Sequence, residues 1–169
     1  MEPNFVQIQA AYLRGIEYKP AIVEVEVSDG IGIHLVGLSD PTIKESLLRI
    51  ITAIQALGYK LPGRRIIINI PNLTGKDRKT TYLDLPTALG ILIAGEQISV
   101  SPTLLGQCRF YGELGLDGTI RDNIKSEYVE GVDKIMIGAN MVVAQDGSAA
   151  FDNLRTLINV ISNHTKDYA

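Results

Sequence analysis

The chain has 169 residues, a length for one domain, and 46% of them are hydrophobic with only 6% aromatic and no Trp, so its core is built from Ile, Leu and Val. With 16 basic and 19 acidic side chains, global charge offers no field for a polyanion or a membrane surface, and any such patch has to be local. A single Cys108 excludes an internal disulfide and a multi-cysteine metal site.

The start, Met1-Glu2-Pro3-Asn4, has no basic n-region and no apolar h-region, which predicts a cytoplasmic protein without a signal peptide. The longest apolar run, residues 89–94, falls far short of the roughly 20 residues that cross a bilayer, so no membrane partner is expected. Residues 21–27 alternate apolar and acidic side chains, the period of a half-exposed strand. Ser28-Asp29-Gly30 supplies turn chemistry, and residues 31–37 read as the hairpin partner of that strand. His34 alternates within it and reads as a packed or surface histidine.

A helix follows Gly37-Leu38-Ser39-Asp40-Pro41. Ser39, Asp40 or Thr42 can cap it and Pro41 suits its first turn. Ile43, Leu47, Ile50, Ile51, Ile54 and Leu57 recur at helical spacing, and Gly58 is placed to stop it. The β-branched run of residues 64–70 predicts a central strand. Residues 71–81 read as a polar loop, and its cluster Gly75-Lys76-Asp77-Arg78-Lys79-Thr80-Thr81 is the main local concentration of positive charge. Lys76, Arg78 and Lys79, beside hydroxyls and with Arg64 and Arg65 as candidate neighbours, have the chemistry of phosphate contacts, although only Tyr82 offers a stacking surface.

Residues 85–94 predict a second helix, apolar on nearly every side and therefore buried. Asp84 precedes it and reads as its N-cap. Residues 109–116 predict a strand that ends at the turn Asp117-Gly118. Glu113 within it reads as an inward polar group bonded to a loop, and Cys108 as a small buried thiol. Beyond, residues 126–132 read as a weak helix, 134–137 and 141–144 as strands, and 153–163 as a helix that carries His164 in a frayed tail. Two distant histidines and one cysteine do not make a zinc site. The order of strands and helices implies an α+β domain with a mixed sheet.

Several ordered motifs together resemble the N-terminal domain of the magnesium-chelatase-like AAA+ ATPases, the group that includes the competence-associated ATPase. They are Gly15-Ile16-Glu17, Val36-Gly37-Leu38-Ser39-Asp40 with Lys44-Glu45-Ser46, Gly58-Tyr59 with Pro62, Asp84-Leu85-Pro86 with Ala88-Leu89-Gly90-Ile91-Leu92, and Gly112-Glu113-Leu114. The match runs over about residues 5–121, and residues 122–169 diverge and look shortened. The resemblance implies a single Lon-protease-like domain over residues 1–169, a mixed β-sheet with helices packed on it. It also implies assembly with its own AAA+ module or sibling subunits, and full-length relatives that act on DNA in recombination, branch migration and natural transformation.

Two departures bear on chemistry. The chain lacks Gly-x-x-x-x-Gly-Lys-Ser/Thr, so the AAA+ module is absent and ATP and Mg2+ are implied only for the relatives that carry it. Lon-type proteases have Asp-Gly-Pro-Ser-Ala-Gly where this sequence has Asp84-Leu85-Pro86-Thr87-Ala88-Leu89. Thr87 stands in the nucleophile's place and Lys125 is the nearest lysine for a dyad, which needs a hydroxyl within reach of a neutral amine. Leu85 and Leu89 replace the glycines that give backbone and substrate room to approach. The expectation is therefore a non-catalytic interaction and assembly domain with no cofactor or metal of its own. The alternatives are a residual Thr/Lys peptidase and a free-standing DNA-binding module.

Overall fold

A computed structural model describes residues 4–15, 17–36, 41–71, 73, 78–121, 135–138 and 149–166. Residues 4–14, unassigned above, form the long strand β1 (Asn4–Arg14). It pairs antiparallel along its whole length with β2 (Glu17–Ser28), from Asn4 opposite Val27 to Arg14 opposite Glu17. The alternation expected over residues 21–27 holds: Val23, Val25 and Val27 are buried, while Glu24 and Glu26 lie on the other face, half-buried.

The predicted hairpin does not form. β3 (Ile33–Val36) runs parallel to β4 (Arg65–Asn69), and β4 lies between it and β2. The intervening helix α1 (Pro41–Ala56) explains this, because a strand–helix–strand crossover returns the second strand parallel to the first. β4, whose Ile66 and Ile68 are both buried, takes the inner position beside β2 and leaves the half-buried β3 at the edge. β4 is internal as expected, but only one of its faces is covered, and Ile67 stays half-buried.

α1 turns Ile43, Ile50, Ala53 and Ile54 inward, as the spacing requires. It stops at Gly58, whose φ of +89° is open to glycine, and Gly58 N–H and Tyr59 N–H close on the carbonyls of Gln55 and Ile54. The capping candidates Ser39 and Asp40 and the side chain of Thr42 lie outside the described residues.

The region expected as loop contains a short strand, β5 (Arg78–Lys79), and a 3-10 turn (Thr80–Leu83) that leads directly into α2 (Asp84–Ala94). Every residue of α2 except Ile93 is buried, and it lies across β1 and β2. The helix comes so close to the sheet that a Cβ on Gly90 would stand 2.6 Å from Val25 Cγ2. Each leucine or isoleucine wholly buried there contributes about 1.5–3 kcal/mol. A short helix missed above, α3 (Pro102–Gln107), is capped by Ser101 Oγ accepting from Leu104 N–H at 3.5 Å.

The strand expected over residues 109–116 is split. β6 (Cys108–Phe110) joins the main sheet parallel to β1, whereas β7 (Glu113–Leu114) pairs with β8 (Ile120–Arg121) in a separate two-stranded ribbon. The break falls at Gly112, whose φ is +151° and where a Cβ would meet Ile120 Cγ2 at 2.6 Å. β9 (Ile135–Gly138) matches the predicted strand 134–137, and β10 (Ala149–Ala150) was not foreseen. Helix α4 (Leu154–Lys166) covers the predicted 153–163, with Asn153 Oδ1 accepting from Thr156 N–H at 2.9 Å. The elements expected at 126–132 and 141–144 lie outside the described residues.

The result is a mixed α+β fold. Its main sheet has the order β10-β9-β6-β1-β2-β4-β3 with β5 added against β1. The hydrophobic core lies on one face of that sheet, under α1, α2 and α4. No helix among the described residues is long and apolar enough to cross a membrane.

Candidate functional site

Three of the quoted motifs, those that hold Ser46, Asp84 and Gly112-Glu113-Leu114, meet at the start of α2. Gly112 N–H donates to Tyr82 O at 2.8 Å and Leu85 N–H donates to Gly112 O at 3.0 Å, so the turn before α2 docks on the backbone between β6 and β7. Asp84 then reaches across. Its Oδ2 accepts from Leu114 N–H at 3.1 Å and from Arg49 Nε at 3.1 Å, while Arg49 Nη2 lies 3.4 Å from Oδ1 and 2.8 Å from Ser46 Oγ. Asp84 therefore does not cap its own helix. The N-cap position is Leu83, in a helical conformation with no side-chain cap, because the 3-10 turn feeds straight into α2. The carboxylate instead ties α1, α2 and β7 together.

Burial dominates the electrostatics of this group. The Asp84 side chain is wholly inaccessible, and desolvation pushes its pKa up to about 6 against the opposing pull of the Arg49 charge and the hydrogen bonds of Arg49, Leu114 and Ser46. Near neutral pH it is an ion paired with a guanidinium; in mild acid it takes up a proton.

Thr87 lies one turn further on, 4% exposed. It lines a cavity with Asp84, Ser46, Thr80 and apolar residues that include Ile43, Ile50 and Ile68. That cavity is about 20 Å3, room for about one water molecule. No lysine is among its lining residues. Leu85 and Leu89, which fill the places of the two glycines, are wholly buried in the core. The expected dyad partner Lys125 lies outside the described residues. Sequence reasoning missed Arg49 and quoted Ser46 only within a family motif, without a site role; their spacing of three on α1 is the local signal.

The basic candidates fall elsewhere. β5 places Arg78 opposite Arg14 and Lys79 opposite Leu13 at the end of β1, and Lys76 lies outside the described residues. Arg64 and Arg65 do not join them. Arg65 stands opposite Ser28 at the far end of β2 from Glu17, the partner of Arg14, which is roughly 35 Å of strand away. There Arg64 pairs with Asp29 at 3.7 Å, and Arg65 lies 3.9 Å from Glu26 and 3.0 Å from Ser28 Oγ.

The remaining candidates have structural places. Glu113 is half-buried and stands opposite Arg121 in the ribbon. His34 is exposed, with Nε2 3.3 Å from Ile31 O. Cys108 is buried, and burial pushes its thiol up to about 11, away from reactivity. Among the described residues no three His, Cys, Asp or Glu side chains are grouped to hold a metal ion.

Residues 23–146, most of the chain and all of the Asp84 site, match the family described as subunit ChlI of Mg-chelatase. The chain belongs to the Mg-chelatase ChlI-subunit family. Among its relatives, YifB of Salmonella typhimurium is 33% identical over 136 residues, which is 80% of this chain and 26% of that protein. YifB of Escherichia coli is 33% identical over 147 residues, 86% of this chain and 28% of its own length. The competence protein ComM of Haemophilus influenzae is 35% identical over 108 residues, 63% of this chain and 21% of that protein. The chain thus spans about a quarter of the length of the relatives it matches. Among solved structures, the phosphomevalonate kinase of Streptococcus pneumoniae aligns over 62% of this chain and 38% of its own at 15% identity and a TM-score of 0.34, too loose to carry an argument.

ATP and Mg2+ are implied by the resemblance only for the full-length relatives. The start of α2 presents a buried carboxylate already engaged by Arg49 and Leu114, in place of a glycine-rich cradle followed by Lys and Ser/Thr.

Proposed function

We propose that this chain is a non-catalytic, Lon-like N-terminal interaction and assembly domain of a Mg-chelatase-like AAA+ ATPase. It binds sibling copies or the motor module of such an ATPase. The observation that carries the reading is the enclosure of Thr87. Its hydroxyl stands at the nucleophile's place beside a cavity of about 20 Å3, walled by core side chains, too small for a peptide. One relative is named a competence protein, which supports the reading that full-length proteins of this kind act in natural transformation. Light scattering over a wide range of protein concentration tests the assembly role. Mass rising above that of one chain is expected, and a strict monomer at the highest concentration contradicts it.

A second reading, DNA contact, draws support from the register of β5. It sets Arg78 opposite Arg14 and Lys79 opposite Leu13, so three basic residues share one end of the β1–β5 pair, the residue types that neutralise phosphates. Fluorescence anisotropy with a labelled oligonucleotide should show weak, salt-sensitive binding that Lys76→Glu with Arg78→Glu reduces; an unchanged isotherm excludes it.

A further inference from the structure

Binding between sibling copies needs a shared surface, and the free edge of the main sheet has the features of one. β3 ends the strand order, and its register against β4 fixes which way its backbone points. Ile66 N–H donates to Gly32 O at 2.9 Å, so in this parallel ladder Gly32, His34 and Val36 turn their peptide groups toward β4. Ile33 and Leu35 alternate with them and turn theirs outward. Two N–H and two C=O groups therefore face away from the sheet, and among the described residues none of the four has a hydrogen-bond partner.

Sheet edges are ordinarily blunted by charged side chains, proline or a covering element. Residues 31–36, Ile-Gly-Ile-His-Leu-Val, hold no Asp, Glu, Lys, Arg or Pro. Ile31 is 84% exposed and Val36 48%, while Ile33 and Leu35 pack on the core yet stay half-buried. α1 widens this apolar rim. Its Ser46 and Arg49 turn toward Asp84 of α2, so helical spacing puts Leu47 and Ile51, both half-buried, on the flank away from α2. An edge without charge selects an uncharged apolar strand, and a second copy of this edge is such a strand.

Antiparallel pairing of two copies about a twofold axis at His34 uses every outward group. Ile33 of each copy exchanges both hydrogen bonds with Leu35 of the other, and His34 stands opposite its own copy in the non-hydrogen-bonded pair between them. This register keeps the Ile33 and Leu35 side chains of both copies on one face, so the two cores form a continuous layer. A slip of one residue would set the core face of one copy beside the open face of the other.

The geometry points to β3 as a self-pairing edge, through which two copies of this chain join their main sheets by Ile33, His34 and Leu35. The pairing rests on the assembly role proposed above and names its surface. Sedimentation equilibrium of the whole chain, over roughly 10 μM to 1 mM, reads an association of this small size. His34→Glu and His34→Lys, at an exposed position, each set like charges about 5 Å apart across the axis and should weaken association at least about tenfold. An equimolar mixture of the two variants replaces repulsion by attraction and should restore the affinity to within about threefold of the parent's, or better. His34→Cys reads the register. Oxidation should link it into a dimer, because the paired Cβ atoms come within about 4.5–5.5 Å. Val36→Cys, whose copies lie about 13 Å apart in this register, should form no linked dimer, and Cys108 is buried. Association unchanged in both charge variants overturns the edge and leaves assembly to another surface. Weakening in both without recovery in the mixture overturns the twofold pairing. A parent that stays a strict monomer overturns the edge and the assembly role together.

Discussion

The two faces of the main sheet differ in what they leave available. On the helix-covered face the residues that define the family are used up: Leu85, Ala88, Leu89 and Leu92 fill the core, and Asp84 is held by Arg49 and Leu114 N–H. The other face carries Gln7, Gln9, Glu24, Glu26 and Asn69 and a larger cavity. The contrast teaches that the motif most like an active site is the least able to meet a substrate. Its pattern of residues is accounted for by packing, and the roomier cavity lies on the face with no motif.

That contrast can be broken most forcefully at Asp84. Asp84→Ala leaves Arg49 and Leu114 N–H without their shared acceptor and should cost about 3–5 kcal/mol in a denaturant titration. A loss below about 1 kcal/mol, the value of a surface pair, would move Asp84 out of the closed region. The pH dependence sharpens the same point. Because the folded-state pKa lies above the unfolded value, the native state holds the proton more tightly across the window from about 4 to about 6. Asp84 therefore favours folding most below that window, and its contribution falls as pH rises through it. Relative to Asp84→Asn, the parent should gain roughly 2–3 kcal/mol between pH 7 and pH 4, measured by denaturation at each pH.

A smaller effect is expected at the helix–sheet contact. Gly90→Ala puts a methyl group against Val25 and should cost about 1–3 kcal/mol by thermal melting, since a packed core has to shift to admit it. The smallest belongs to the open end of the sheet. Arg14→Glu, at an exposed position, should change stability by no more than about 0.5 kcal/mol.

Much of the closed face was legible in the sequence. Residues 21–27 alternate because only one side of β2 is covered, and α2 reads as buried because it is apolar all round. β1 escaped because the run Ala10-Ala11-Tyr12-Leu13 does not alternate. Both of its sides are buried there, Leu13 standing opposite Tyr18, which stacks on Tyr82. The hairpin was misread for another reason: Ser28-Asp29-Gly30 is good turn chemistry, but local chemistry carries no information about a strand arriving some forty residues later. Asp84 looked like a cap for the same reason, since its acceptor role depends on Leu114 and Arg49, each thirty or more residues away.

The account stands on the claim that the motif around Thr87 packs and does not react. Incubation of the whole chain with casein, followed by electrophoresis and peptide mass spectrometry, tests it directly. The account predicts intact casein with the parent chain and with Thr87→Ala alike. Cleavage by the parent that disappears in a folded Thr87→Ala would contradict it.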